Sequence, residues 1–377
     1  MSDTFQGSIA QKNVQFPIET VIEPLAGENY SRAMIFIALS NAATYLPGVT
    51  TPAAATLTEV TSNNFGTVTG GLLKKWLTPF FKSAQAVKVG VVIYDDGAEP
   101  EDTDILSAVY EKFKMYAYFK FACEEAAGYN AFQVALGTLC SADTLYSAFW
   151  VGTSDTNVLS GTSALITALN AVSGIRYRAI YNPNADINAA LAQVGRSLSV
   201  ANATGTPVGN SMDNVAFNTI EASGADDADG KPTNLSATEC TALDNQKIGY
   251  NTWVGDGTEN VVTEGSLYNN GDSCGAEWVK AYVTYMCKVR TANMITRMNV
   301  FRNNETYQAI LLILSDVVKG FIAMRRLAEF TITAPVFADL PASGDTITVN
   351  NAWSAKYIDG VREVTVYGTL FITNPTR

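Results

Sequence analysis

Three stretches of this chain hold the residue types from which sites are usually built. In "ADDADGKPTNLS", Asp227, Asp229 and Gly230 stand where a calcium loop places two carboxylate ligands and its sharp-turn glycine. With Gly230 at the sixth position, however, the first is Ala225 and the twelfth, which needs a bidentate glutamate, is Ser236. A solvated acidic loop explains the same letters. "GTVTGGLLKK" (Gly66–Lys75) suggests a phosphate cradle, yet no Lys-Ser/Thr pair follows the glycines, so they read as a turn into a helix. "GYNTWVGDG" (Gly249–Gly257) with Glu264 offers Asp256 and Glu264 as a carboxylate pair for glycoside chemistry. Asn, Asp and Gly are also the ordinary residues of turns, which need no catalysis.

The chain contains no histidine. That removes the Ser-His-Asp and Cys-His triads, the commonest neutral-pH acid–base group and the usual zinc ligand. Cys123, Cys140, Cys240, Cys274 and Cys287 form no C-x-x-C pair and lie in apolar or helical surroundings, so they read as reduced, buried thiols. The expectation is a protein that is not an enzyme, with no catalytic residue, cofactor or metal.

At 377 residues, 47% hydrophobic and 16% charged, the chain can bury sizeable cores. A net charge of −11 argues against nucleic acid as a partner. The N-terminus lacks the charged and apolar regions of a signal peptide. The most apolar run, Ala309–Met324, is interrupted by Asp316 and Lys319 and is shorter than a membrane span of about 20 residues. It reads as a buried helix, so no membrane is expected.

Residues 1–20 are polar and unpatterned and read as an extended arm. Strands are expected at Ala33–Leu39, Thr56–Ser62, Ala86–Asp96, Ser147–Thr153 and Ile175–Asn182. Helices are expected at Gly70–Ala84, broken or kinked before Pro79, and at Ile105–Phe119, Ser163–Val172 and Asn188–Ser199. "LSATECTAL" carries a capping box, Ser236 with Glu239 three residues on. Long helices follow over Gly275–Ile295 and from about Glu305 to Leu327. "TITAPVF" (Thr331–Phe337) and "DTITVN" (Asp345–Asn350) then lead to a terminal strand over 361–373. There Val364, Val366, Leu370 and Ile372 alternate with Thr365, Tyr367, Thr369 and Phe371.

Between Gly275 and Arg326 eight basic residues stand against Glu277, Glu305 and Asp316. In an acidic chain this reads as a solvated helix face or as a surface for an acidic protein partner.

The run "NLSATECTALDNQKIGYNTWVGDGTENVVTEGSLYNNGDSCGAEWVKAYVTYMCKVRTANMI" resembles the C-terminal region of contractile tail sheath proteins of phages and related bacteriocins or injection machines. The likeness is carried by the capped helix, Ile248-Gly249-Tyr250-Asn251, the strand ending Val262-Thr263-Glu264-Gly265, Gly271-Asp272 and the Trp278 helix. It is best over 234–377 and weaker over 21–95.

The resemblance implies a mixed α/β (α+β) fold. Its inner, tube-proximal α/β sandwich domain would be built from 21–85 and 234–360. A middle or outer α/β domain, 86–233, would be inserted, with arms at 1–20 and 361–377. It implies a structural subunit that polymerises as stacked hexameric rings around a tail tube and contracts to drive the tube through the host envelope. Self, the tail tube protein, and baseplate and tail terminator proteins would be its partners. Its place would be the virion tail, assembled in the host cytoplasm. Val364, Thr365, Val366, Tyr367, Thr369, Leu370, Phe371 and Ile372 would form an inter-subunit arm strand. Lys280, Lys288, Arg290, Arg297, Lys319, Arg325 and Arg326 are candidates for the tube-facing surface. A tail-tube or capsid-like protein is the alternative, and a carboxylate hydrolase a remote one.

Overall fold

The computed structural model describes residues 32–38, 55–68, 70–83, 87–95, 103–123, 131–203, 235–253, 261–264, 267–297, 303–323, 327–339, 346–359 and 362–373. They fall into two compact units, Glu28–Gly275 and Ala276–Arg377.

The first unit is built on runs too apolar to face water on either side. β1 (Ala33–Ala38), β3 (Val89–Tyr94), β4 (Phe119–Ala122), β5 (Ala148–Thr153) and β6 (Tyr177–Tyr181) are buried along their whole length. That is the mark of parallel strands covered on both faces. With β2 (Thr56–Val60), β7 (Gly249–Trp253) and β8 (Val261–Glu264) they form an eight-stranded sheet in the order β2-β3-β1-β4-β5-β6-β7-β8. The strands from β3 to β7 run parallel, and antiparallel β2 and β8 close the two edges. β1 pairs with both β3 and β4, so strands from both sides of residue 85 share this sheet.

The helices of this unit are α1 (Phe65–Val68), α2 (Gly71–Ser83), α3 (Thr103–Phe113), α4 (Ala131–Ala142), α5 (Ala164–Ala171), α6 (Ala189–Ala203) and α7 (Ala237–Asn245). Two glycines of the unit show which helices cover which face. A Cβ on Gly137 of α4 would stand 2.8 Å from the Phe149 ring. One on Gly152 would collide with the Asn188 amide, just before α6. Phe149 and Gly152 point to opposite faces of β5, so α4 and α6 cover opposite faces. α2 joins α6 through the Phe80 ring, 2.7 Å from where a Cβ on Gly195 would lie. Asn188 is 3% exposed and its Oδ1 accepts from the Leu191 N–H at 2.9 Å, satisfying one of the donors left over at the start of α6. Asn188→Ala is expected to lower stability by about 1–2 kcal/mol. The check is urea unfolding, with a lower midpoint and an unchanged slope.

Several expectations need correction. α2 runs unbroken through Pro79, and the Thr78 hydroxyl donates to the Lys74 carbonyl at 2.7 Å. The helix expected over Ile105–Phe119 ends at Phe113. A 3-10 turn, Lys114–Tyr116, follows and then strand β4. α4 was absent from the expected elements. The capping box forms as expected, the Glu239 N–H donating to Ser236 Oγ at 3.3 Å and the Ser236 N–H to Glu239 Oε2 at 2.8 Å. All five cysteines are free, and Cys240 is half-buried rather than buried.

The second unit opens with two long helices, α8 (Cys274–Arg297) and α9 (Asn304–Ala323). Tyr282 stacks on Trp278 at 5.4 Å and meets Phe321 of α9 edge-on at 5.6 Å. α9 is long and apolar enough by composition to cross a membrane. Its apolar stripe, including Tyr307, Ile310, Leu314, Val318 and Phe321, is buried. β9 (Leu327–Ile332), β10 (Thr346–Asp359) and β11 (Arg362–Thr373) form a three-stranded antiparallel sheet in the order β11-β10-β9. "TITAPVF" is therefore not one strand. β9 ends at Ile332, before the Pro335 that could not donate to a ladder, and Phe337–Asp339 is a 3-10 turn.

Candidate functional site

The stretches that suggested chemistry come apart. Most of the acidic loop, Ala225–Asn234, and Asp256 lie outside the described residues. Glu264 ends β8 in register with Tyr250. In the Gly66–Lys75 stretch, Gly71 takes φ 50° at the start of α2, and Lys75 bridges Asp186 at 2.7 Å. Among the described residues no group of three His, Cys, Asp or Glu side chains could hold a metal ion.

The strand and cations expected to serve assembly lie in the second unit. β11 forms an eleven-pair ladder with β10 of its own chain. Val364, Thr365, Val366 and Tyr367 stand opposite Tyr357, Lys356, Ala355 and Ser354. Leu370, Phe371 and Ile372 stand opposite Val349, Thr348 and Ile347. Thr369 falls at the register shift between Val349 and Trp353. Among the described residues β11 is an edge strand, so its second row of backbone donors and acceptors faces away from β10.

The opposite edge, β9, differs. It makes four pairs with β10, with a register shift between Ser354 and Lys356. There Glu329 takes φ 52°, a left-handed conformation rare for a non-glycine residue, and its carboxylate holds Lys356 at 2.7 Å. A bulge and a charged pair are common ways to make an edge a poor template for another strand. Sequence reading missed this pair. The alternation of Trp353, Ala355 and Tyr357 with Ser354 and Lys356 was the available signal that β10 runs on to Asp359.

The candidate cations are dispersed. Lys280, Arg290 and Lys319 are exposed, and Lys288 is half-buried. Lys280 reaches Glu277 at 3.5 Å. Arg297 is the last residue of α8, its side chain outside the description, while Arg325 and Arg326 lie outside the described residues. Lys280 is two residues from Tyr282 and Lys319 two from Phe321, each about 200° round its helix. Both lysines therefore project away from the Tyr282–Phe321 contact, on opposite sides of the helix pair. Arg290 is felt inside the unit: burial pushes Tyr282 and Cys287 each up to about 12, and the nearby guanidinium opposes both shifts.

No family model and no curated protein matches the sequence. Among solved structures, the chain is similar to the helical sheath of the anti-feeding prophage in its contracted state. The TM-score is 0.54 and the identity 10%, with 96% of each chain covered. It is also similar to a sheath tail protein of Listeria innocua, with TM-score 0.53 and 10% identity over 90% of this chain and 94% of the other. The chain thus has the mixed α/β fold of contractile sheath proteins along nearly its whole length.

Proposed function

We propose that this chain is a structural subunit of a contractile tail sheath. It polymerises as stacked hexameric rings around a tail tube and contracts to drive the tube through the host envelope. The observation that carries the reading is the correspondence over 96% of both chains with a helical sheath subunit, without a large unmatched domain on either side. The tail tube protein, baseplate and tail terminator proteins are its proposed partners. The virion tail is its proposed place, reached by assembly in the host cytoplasm. The work of contraction would come from two packings of the same interfaces, one metastable, with no nucleotide consumed.

The proposed connections between copies are strand additions. In the isolated chain β11 lies on its own β10. In the polymer the same ladder, Val364 against Tyr357 and Tyr367 against Ser354, would form between copies by exchange of the terminal strand. The 1–20 segment is the proposed counterpart arm.

The exposed cations of either α8 or α9 are the proposed contacts for an acidic tube surface. Only one side of the helix pair can touch a tube, so Lys280→Glu and Lys319→Glu should differ. One is expected to abolish co-sedimentation with tube polymers while the chain still forms sheaths on its own; the other should leave binding intact. Equal binding by both variants and the parent would exclude this face. Microscopy of the purified chain tests the wider reading, since sheath polymers, smooth tubes and monomers differ in outline.

A further inference from the structure

Lys120, the second residue of β4, has no exposed surface. It stands in register with Met34 of β1 and Phe149 of β5. It therefore shares with Phe149 the face of the sheet covered by α4. Its Nζ donates to the Lys114 carbonyl at 2.9 Å.

Cys140, Asp143 and Lys114 act on it, and further groups join through Cys140. α3 supplies Tyr110, whose hydroxyl donates to Ser147 Oγ at 2.7 Å. α4 supplies the buried thiol of Cys140. At the rim, the Lys114 ammonium bridges Glu111 of α3 at 2.8 Å and Asp143 at 3.3 Å. Asp143 favours a charge on Lys120, and Lys114 opposes it. An ammonium in this place would bring three donors, and a full charge, to a region offering one carbonyl.

We propose that Lys120 is a proton-operated switch within the eight-stranded unit, an uncharged amine when the folded chain is in alkaline solution and an ammonium in mild acid, where it strains the packing of the 114–118 turn against β4. Burial supports this by pulling its pKa down to about 7. A lysine in the unfolded chain titrates near 10.4, so between about 10 and 7 the unfolded chain holds a proton that the folded chain has released. Stability from this residue therefore rises with pH through that window and lies on its lower plateau below it. The chain has no histidine to titrate near pH 7. Above about pH 8 the Cys140 and Cys287 thiols, pushed up to about 12 by burial, act in the opposite sense, because they ionise first in the unfolded chain.

Urea unfolding of the full chain, from about pH 5.5 to about pH 8, below the range where unfolded thiols ionise, tests the proposal. The midpoint should climb with pH for the parent. For Lys120→Met, which keeps the length and loses the amine, that climb should be absent and the midpoint should lie above the parent's in mild acid. Asp143→Asn gives a second test, because it removes the carboxylate that favours the charge, so its climb should begin at lower pH. The proposal is overturned by an identical climb in Lys120→Met, or by an unshifted onset in Asp143→Asn.

Discussion

A chain ending at Asp359 is expected to form no ordered polymer while its eight-stranded unit stays folded. The cut removes all eleven pairs that β11 makes and leaves β10 with the four it makes to β9. A two-stranded ribbon of that kind is marginal in water. None of the pairs in the eight-stranded sheet involves residues beyond Glu264, so that sheet should keep its ellipticity and its cooperative unfolding. Sedimentation and circular dichroism check both halves of the expectation. A sharper version keeps the strand and adds cysteines at Ser354 and Tyr367, which stand opposite each other. If β11 is exchanged in the polymer, oxidation there links neighbouring copies into ladders on a gel. Links confined to single chains would place β11 permanently on its own β10.

Trp150→Ala is expected to cost about 4 kcal/mol, a large share of the stability of an ordinary domain. Trp150 lies on β5 in the middle of the sheet, is 1% exposed, and meets the Phe119 ring edge-on at 5.7 Å. Phe119 in turn meets Tyr118 at 5.1 Å, so removing the indole opens a cavity at the end of an aromatic row. The loss should show as a strongly lowered urea midpoint. A change below about 1 kcal/mol would mean that the surroundings collapse into the space, contrary to the close packing described.

Much of the fold was legible because its strongest elements announce themselves locally. "AMIFIAL", "AVKVGVVIYDD" and "SAFWVGT" are continuous apolar runs, and β1, β3 and β5 lie within them. β4 was not legible. Its four residues, "FKFA", contain a lysine and follow a stretch with helical spacing, so local pattern favoured extending the helix. Only the sheet explains the strand, with β1 on one side and β5 on the other. Pro79 misled for a related reason: it removes one donor and crowds one turn, yet tertiary packing holds α2 together across it.

The assembly features were half legible. The alternation over 361–373 identified a strand, and β11 occupies Arg362–Thr373. Alternation says that a partner exists without saying which one; the Asp359-Gly360 pair between two alternating runs was the unused signal for a hairpin with β10, whose Asp359 pairs with Arg362. The basic excess over 275–326 was a count along the chain. Its distribution on the surface depends on which side of each helix meets the other, which the Tyr282–Phe321 contact decides.

The most direct test of the central claim is negative-stain microscopy of the purified full-length chain, over a range of concentrations and with sedimentation alongside. The account predicts wide, hollow cylinders built of stacked rings. A single monomeric species at every concentration, or narrow smooth tubes of the kind a tail-tube protein forms, would contradict it.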